Sequence, residues 1–283
     1  MTIRHGGDPG ESGYAGEPDV ASLNKTEETR NSPYVTAFGR GLSVIRCFSA
    51  NSSSLTIAEV ARLSGLNRAT ARRFLYTLEA HEYVGNAGGK FFLRPRVLEL
   101  GYAYLSSLEI GEVFQQALQE LAETLNETCS AGVLDGHDVA IVARAQPAEP
   151  RVLSLAFSIG ARFPAYLTSV GRVLLAELTD EELEKYLSSV QLRRETEHTI
   201  AEREDLHHEI LKVRAAGYCT LDQEIELGLR AIAVPLRREG KPTMAVGTAA
   251  HASRVSMTEL HDKILPALKS TASSIEDLLR LRH

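Results

Sequence analysis

One stretch, TIAEVARLSGLNRATARRFLYTLEAHEYV at residues 56–84, constrains the fold of this chain more than any other. The threonine that opens it is followed three residues later by Glu59, the capping-box pattern that begins a helix. Gly65 is the residue type that ends a helix, because glycine readily takes the left-handed conformation. Asn67 can then cap a second helix over residues 68–80, whose apolar residues recur at helical spacing. The stretch predicts two short helices joined by a tight turn.

The second predicted helix has a cationic, hydroxyl-bearing face opposite its apolar one. With its capping residue, that face consists of Asn67, Arg68, Thr70, Arg72, Arg73 and Thr77. Arginine can pair bidentately with guanine or hold phosphates. In a helix-turn-helix the second helix enters the major groove and reaches base edges. We therefore expect these residues to contact DNA.

The segment GNAGGKFFLRP follows directly and has the pattern of a short β-hairpin. Gly88 and Gly89 would form its tip between two apolar strands. A helix-turn-helix followed by a hairpin is a winged helix, in which Lys90 and Arg94 would touch backbone phosphates. The alternative is a helical hairpin whose basic face is merely solvated.

The charge distribution favours a DNA-binding head although the net charge of the chain is -6. Residues 33–98 contain nine Lys and Arg against three acids, a balance of +6, so the remaining residues must carry -12. A basic module on an acidic body is typical of DNA-binding proteins.

Length and composition predict two domains with a tail. No apolar run approaches the roughly 20 residues of a membrane helix, and no signal peptide is evident. Three widely spaced cysteines indicate buried thiols in a reducing cytoplasm. The predicted divisions are a disordered tail at 1–32, the winged head at 33–95, a linker helix at 96–110 and a second domain at 111–283.

The linker segment RVLELGYAYLSSL is too apolar for a free helix. A helix that is apolar on more than one side must be covered. We expect it to pack on a second copy of the chain and so to mediate dimerisation. The alternative is a linker docked entirely within its own subunit.

Beyond residue 110 the pattern mixes strands and helices with prominent hairpins, which predicts an α+β domain with a mostly antiparallel sheet. The predicted strands are 129–134, 139–145, 152–157, 218–223, 229–237 and 243–250. The predicted helices are 113–126, 168–178, 180–189, 202–216 and 257–282, with a loop at 159–164.

This second domain has no convincing catalytic set and no metal site, and we expect no cofactor. Small residues beside isolated polar ones instead indicate a small-molecule cavity. Its candidate residues are Gly160, Ala161, Arg162, Asp222, Glu224, Ala231, Gly247, Ala249 and His251. Arg162 or Arg144 would pair with a ligand carboxylate. The alternative is that the glycines make turns and Arg162 pairs with Asp222 or Glu224.

The chain resembles the IclR family of bacterial transcriptional regulators at LTIAEVARLSGLNRATARRFLYTLEAHEYV, IGARFPAYLTSVGRVLLAEL and GYCTLDQEIELGLRAIAVPLR. Within the family, VTAFGRGLSVIRCF, TSVGRVLLA and the run Thr248 to His251 are similar to regulators of protocatechuate and β-ketoadipate metabolism, the PcaR, PcaU and PobR type. The resemblance implies a winged-helix head, a linker helix, a GAF-like effector domain, and dimers, often paired into tetramers, on palindromic operators.

Carrying the family's pocket segments onto this sequence gives Gly160, Ala161, Asp222, Ala231, Gly247 and Ala249. Other members have cysteine or serine in the last strands, where this chain has alanine and glycine. The resemblance therefore implies that the pocket of this chain is wider and less polar than the pockets of those members. Such a pocket suits an aromatic acid or a β-ketoadipate-like diacid.

We interpret the chain as a ligand-responsive DNA-binding regulator and not as an enzyme. One rival hypothesis is a metabolite-binding or catalytic domain with a regulatory head, and another is an architectural DNA-binding dimer without a ligand. A regulator of a different carbon-source pathway also fits the pattern, and repression and activation are equally compatible with it.

Overall fold

The computed structural model describes residues 34–49, 52–108, 110–149, 158–238 and 243–280. The described residues divide into two compact units at Glu109 and Ile110. The predicted tail at 1–32 and the predicted strand at 152–157 lie outside the described residues. Within the described ranges, no helix combines the length and the apolar character needed to cross a bilayer.

The first unit is a winged helix-turn-helix followed by a further helix. Its elements are α1 (Thr36–Ile45), β1 (Leu55–Thr56), α2 (Ile57–Ser64), α3 (Arg68–Ala80), β2 (Val84–Ala87), β3 (Lys90–Leu93), a 3-10 turn (Pro95–Val97) and α4 (Leu98–Ser107). The three strands form one antiparallel sheet in the order β1-β3-β2. Helix-turn-helix and hairpin are as predicted, whereas β1 was not expected.

Local signals fix the ends of the helices in this unit. The Thr56 amide donates to the Glu59 carboxylate at 2.7 Å, and the Glu59 amide donates back to the Thr56 hydroxyl at 3.3 Å. Gly65 ends α2 with a φ of 69°. The Asn67 side chain accepts from the Thr70 amide at 2.8 Å and so caps α3. A cap of this kind stabilises a helix by about 1 kcal/mol.

The hairpin tip is also as predicted. Gly88 and Gly89 have φ values of 60° and 81°, and Ala87 pairs with Lys90 across the two-residue loop. Positive φ at both central residues is the requirement of the tight hairpin turn that matches strand twist. The hairpin packs through Val84 and Phe91 onto a core shared with the helices.

The second unit is an α+β domain, which confirms the predicted fold class. Its elements are α5 (Glu112–Leu125), β4 (Cys129–Asp135), β5 (Asp138–Ala145), β6 (Arg162–Pro164), a 3-10 turn (Ala165–Leu167), α6 (Ser169–Ala176), α7 (Asp180–Ser189), α8 (Arg203–Ala216), β7 (Cys219–Asp222), β8 (Leu229–Leu236), β9 (Met244–His251), α9 (Met257–Glu259), a π-helical turn (Leu260–Ile264) and α10 (Leu265–Arg280). The six strands form an antiparallel sheet in the order β6-β5-β4-β9-β8-β7.

Helix α6 is wholly buried and packs against β4, β8 and β9. Gly171 allows this close approach, since a Cβ there would lie 2.1 Å from the Ala165 carbonyl oxygen. Helices α5 and α10 pack against each other and against the sheet. Because α6 packs on β4, β8 and β9, its start lies over the sheet.

Two expectations for this unit were wrong. The loop predicted at 159–164 contains the short edge strand β6, which pairs with β5. The closing helix predicted as continuous is interrupted by the π-helical turn. Pro266 lies two residues after that turn and has no amide hydrogen, so it cannot complete the regular helical hydrogen-bond pattern.

The three cysteines are buried and form no disulfide, as predicted. Burial raises the pKa of the Cys47 thiol to about 11 and the pKa values of the Cys129 and Cys219 thiols to about 12. A thiol protonated at neutral pH is a poor nucleophile. The cysteines therefore act as small apolar core residues.

Candidate nucleic-acid interface and ligand cavity

Helix α3 presents its cationic face to solvent. Ala71 and Leu75 are fully buried in the core of the first unit. Arg68, Arg72 and Arg73 occupy the other side of the helix and are exposed. The amphipathic spacing of α3 therefore fixes the direction in which the arginines point.

These arginines form no ion pair with any other described residue; the ion pairs of the first unit join Arg94 and Arg96 to Glu82 and Glu99. The Arg72 guanidinium lies over the Tyr76 ring, 5.3 Å from its centroid. Arginines without acidic partners can bind an anion without first breaking an ion pair. This is the state expected of residues that meet phosphates or guanine edges.

The start of α2, the start of α3 and the hairpin tip enclose one open groove. Its lining residues are Thr56, Ile57, Ala58, Arg68, Ala69, Arg72, Arg73 and Gly89. Lys90 is exposed directly beside the tip. The hydrogen bonds from Thr56 chiefly hold the pKa of the Glu59 carboxyl below its usual range, and the Lys90 charge adds to this effect. The helix and the wing thus share one basic concave surface.

Of the two predicted threonine hydroxyl contacts, one is already engaged within the helix. The Thr77 hydroxyl donates to the Arg73 carbonyl at 2.9 Å. Thr70 is half-buried, and its amide is bound by the Asn67 cap. Both side-chain oxygens can still accept a hydrogen bond.

Arg94 lies at the base of the hairpin, whereas Lys90 lies at its tip. The Arg94 Nη1 is 3.5 Å from Glu82 Oε1, and the Arg96 Nη1 is 3.2 Å from Glu82 Oε2. Arg94 must exchange this exposed contact to reach a phosphate. Such surface pairs are worth about 0–1 kcal/mol, so the exchange costs little. A phosphate contact by Arg94 remains a prediction.

The second unit contains a cavity between the start of α6 and the sheet. Its empty volume, counting the part open to solvent, is about 540 Å³. Its lining residues are Thr128, Ser130, Val139, Ile141, Leu167, Thr168, Ser169, Val170, Leu221, Ile225, Leu229, Ala231, Gly247, Thr248 and Ala249. Aliphatic side chains form most of the wall, and hydroxyl groups form the rest.

Three of those hydroxyl-bearing residues are more than nine-tenths buried without a side-chain hydrogen bond in the described part of the chain. Thr128, Ser130 and Ser169 are 8%, 9% and 4% exposed. By contrast, the Thr168 hydroxyl accepts from the Gly171 amide, and the Thr248 hydroxyl donates to the Thr128 carbonyl. Buried polar groups are normally hydrogen-bonded. The cavity is therefore suited to a ligand that supplies polar partners.

The structure brings three of the predicted ligand-binding residues to this cavity. Ala231 and Ala249 lie directly opposite each other on β8 and β9, and Gly247 lies two residues before Ala249. Gly247 does not leave room for a ligand, because a Cβ there would lie 2.7 Å from the Ile232 carbonyl oxygen. The extra space comes from the two alanines.

The other six predicted residues do not line the cavity. Gly160 has a φ of 85° in an exposed turn, and Ala161 follows it. Asp222 pairs with Arg230 at 2.7 Å, and this hydrogen bond holds the pKa of Asp222 below its usual range. His251 is exposed, with its Nδ1 2.7 Å from the Ser253 hydroxyl.

The predicted alternative for Arg162, pairing with Asp222 or Glu224, was also wrong. Its guanidinium instead binds Asp135 at 2.5 Å and Asp138 at 3.2 Å. The cause is the pairing of β6 with β5, which brings Arg162 next to the turn between β4 and β5. Glu224 forms a buried ion pair with Arg172.

Arg144 is the candidate arginine whose side chain has no partner among the described residues. It lies on β5 directly opposite the cavity residue Ser130 on β4. Directly opposite residues in an antiparallel pair share one face of the sheet. Arg144 is half-buried, its Nε is buried, and no described residue forms a hydrogen bond with that atom. Arg144 is not itself a lining residue; its strand partner Ser130 is.

Sequence reasoning missed Thr128, Ser130 and Ser169. Thr168 does cap α6 with the pattern of a helix start, a signal that was available. The hydroxyls of β4 were unremarkable without the knowledge that α6 lies over them.

Two family models match the chain. The model for the IclR helix-turn-helix domain matches residues 37–87. The model for the C-terminal domain of IclR bacterial transcriptional regulators matches residues 102–277. Together they cover both units.

Three known proteins illustrate the similarity. The Pca regulon regulatory protein of Pseudomonas putida is 38% identical over 91% of this chain and 89% of its own length. A transcriptional regulator structure from Rhodococcus sp. RHA1 is 47% identical, with a TM-score of 0.77 over 88% of this chain and 100% of that one. The inducer-binding domain of the PobR transcription factor from Acinetobacter, solved as a double mutant with 3-hydroxybenzoic acid, is 34% identical. That comparison has a TM-score of 0.56 and covers 59% of this chain and 97% of that one.

Proposed function

The chain belongs to the IclR family of bacterial transcriptional regulators, and we propose that it controls aromatic-acid catabolism in response to an aromatic acid. The genes would be those of the protocatechuate or hydroxybenzoate pathway, since the similar P. putida protein is a regulator of the Pca regulon. The site of action would be the cytoplasm, where bacterial DNA lies. The observation that carries the proposal is the pairing of a basic groove in one unit with a partly polar cavity in the other.

Binding to operator DNA would use the groove of the first unit. Arg68, Arg72 and Arg73 are exposed on α3 without acidic partners among the described residues, and α3 is the second helix of the motif. Such a helix reads bases in the major groove while wing residues such as Lys90 hold phosphates. Asn67 and Thr70 at the start of α3 would contribute further hydrogen bonds.

The effector would place its carboxylate at the end of the cavity where Arg144 and Ser130 face each other. Arginine binds carboxylates with parallel hydrogen bonds, and burial strengthens them. Arg162 is a weaker candidate, because Asp135 and Asp138 already occupy its guanidinium. The PobR inducer-binding domain that resembles this unit was solved with 3-hydroxybenzoic acid. Like the proposed effector, that ligand is an aromatic ring with a carboxyl group.

The wall of the cavity favours an aromatic acid over a β-ketoadipate-like diacid. Leu221, Ile225 and Leu229 form an aliphatic surface suited to a ring. The second carboxylate of a diacid would have to lie among aliphatic and hydroxyl side chains, since Arg144, next to the lining residue Ser130, would already hold the first one and the described lining itself contains no charged residue. Burying an unpaired carboxylate is costly.

We further propose that the regulator is a dimer formed through α4 and α1. No residue of α4 is buried in the single chain, and Leu98 and Tyr102 are 72% and 73% exposed. Phe38 on α1 is 69% exposed. Large exposed apolar patches mark interaction sites, and a palindromic operator requires two heads. Pairing of dimers into tetramers would follow the family.

The dimer proposal has a direct test. Leu98→Glu should shift the chain toward the monomer in analytical ultracentrifugation, because it places a charge in the buried interface. Leu227→Glu is the matched control, since Leu227 is 60% exposed in the other unit. Equal association by both variants would contradict an interface at α4.

The proposed function is tested by a gel shift on the DNA upstream of the protein's own gene. The protein should bind this DNA, and protocatechuate or 4-hydroxybenzoate should change its affinity. β-Ketoadipate and an aliphatic monoacid serve as comparisons. Absence of DNA binding would refute the proposal that the protein is a regulator. A DNA affinity that none of the acids changes would refute the proposal that an aromatic acid is its effector. Product formed from a bound acid on incubation would instead favour the catalytic alternative.

A further inference from the structure

A buried ion pair joins two sides of the ligand cavity. Arg172 on α6 is fully buried, and its Nη1 donates to Glu224 Oε1 at 2.9 Å. Its Nη2 donates to Glu224 Oε2 at 2.5 Å, and its Nε donates to the Tyr166 carbonyl at 2.7 Å. All three nitrogens of the guanidinium are therefore held in one fixed geometry.

The free-energy cost of burying two charges argues against protein stability as the main role of this ion pair. Removing two charges from water is expensive, and an apolar pair of similar volume is often as stable or more stable. A bidentate pair does, however, fix the distance and direction between two backbone segments. A positional role is the property that an apolar pair would not reproduce.

The two segments joined by the pair are both walls of the cavity. Ser169 and Val170 line the cavity at the start of α6, within one helical turn of Arg172. Ile225 lines it from the connection between β7 and β8, directly after Glu224. The pair therefore ties the α6 wall to the wall that contains Ile225.

The β7–β8 connection is held on its other side by a second set of contacts. The Thr199 hydroxyl donates to the Glu224 carbonyl at 2.6 Å, and the Thr196 hydroxyl donates to the Gln223 carbonyl at 2.7 Å. Gln223 has a φ of 63°, a conformation that a residue with a side chain seldom adopts. Strained backbone of this kind persists where its surroundings impose it, often at ligand sites.

We infer that Arg172 and Glu224 are positioning residues for the effector, which set the separation between α6 and Ile225. Neither residue lines the cavity, so they act through the walls that they connect. The inference rests on the proposed function, because it takes this cavity as the effector site. Without the pair, the cavity walls lose their fixed spacing and the ring of an aromatic acid loses its close fit.

The test uses the full-length protein and an apolar replacement of the whole pair. Arg172→Met combined with Glu224→Leu should keep the fold, which the unfolding temperature monitors. We expect its affinity for 4-hydroxybenzoate in calorimetry to fall about tenfold or more. Its affinity for operator DNA without effector should stay the same. The ratio of affinities for 4-hydroxybenzoate and protocatechuate should move toward one, a change that loss of stability alone would not produce.

Two single variants complete the test. Glu224→Gln keeps the shape of the pair and removes one charge, so it should weaken effector binding even if the double variant does not fold. Glu177→Gln breaks the ion pair between Glu177 and Arg237 near the other end of α6, away from the cavity lining. It should bind effector as the wild type does.

Wild-type affinity and selectivity in the apolar double variant, or in Glu224→Gln, would overturn the positioning role while leaving the proposed function intact. A wild-type protein that binds none of the acids would overturn both.

Discussion

Replacing Arg72 by alanine separates base reading from general attraction to DNA. Arg72 lies on the exposed face of α3, lines the groove and has no ionic partner among the described residues. Within the unit, its guanidinium lies over the Tyr76 ring. An exposed cation–π contact is worth about 0.5–1 kcal/mol, so the fold should tolerate the change.

The expected loss in DNA affinity follows from the contact that Arg72 would make. A bidentate arginine–guanine pair contributes about 1–3 kcal/mol of discrimination, which corresponds to a factor of about 5 to 150 in Kd for each head. If both heads of a dimer read the same base, the loss for the whole operator is about 2–6 kcal/mol. A loss of that size is readily measurable.

Fluorescence anisotropy on the operator and on a scrambled duplex of equal length, at one salt concentration, measures this loss. Arg72→Ala should weaken operator binding much more than binding to the scrambled duplex. Arg203→Ala, which removes an exposed arginine at the start of α8, is the matched control and should change neither. Equal losses of affinity on both duplexes would mean that Arg72 contacts a phosphate and does not read a base. No loss on either would mean that α3 is not the reading helix.

The remaining predictions concern the wing, the cavity and the helix caps. Lys90→Gln should weaken binding to all duplexes alike and flatten the dependence of log K on log salt by about 0.9 per head, as measured by a salt titration. Ala231→Leu should fill the cavity and abolish the response to aromatic acids in a gel shift while DNA binding persists. Asn67→Ala should lower the free energy of unfolding by about 1 kcal/mol in urea titrations; an unchanged midpoint would contradict the cap. Because the folded-state pKa of Glu59 is lowered, its contribution to stability is present above its unfolded pKa and lost as the pH falls through the folded value. Glu59→Gln should therefore lose less stability on acidification than the wild type does, and an identical acid profile would contradict this.

The helix ends of the DNA-binding unit could be predicted because their causes are local. Thr56, Glu59, Gly65 and Asn67 act on backbone groups within three residues of themselves. The glycine pair of the hairpin acts through its own φ angles. By contrast, β1 is two residues long and exists through its pairing with β3, which no local pattern indicates.

The cavity was predicted less well because its geometry depends on distant pairings. Ala231 and Ala249 could be identified as small residues on strands, and they face each other across β8 and β9. Arg162 was misassigned because its partners, Asp135 and Asp138, reach it through the pairing of β6 with β5.

The hydroxyl groups at one end of the cavity were not predicted for a similar reason. Ser130 and Ser169 lie far apart in sequence and come together because α6 packs over the sheet. Neither residue has a sequence signal of its own for a ligand site.

The central claim is that effector binding in one unit and DNA binding in the other are energetically coupled. The most direct measurement is the Kd for operator DNA with and without saturating 4-hydroxybenzoate or protocatechuate, together with the Kd for that acid with and without operator. Both pairs of Kd values should change by the same factor, since coupling between two binding sites is reciprocal. A factor of one in both pairs, with each ligand bound independently, would contradict it.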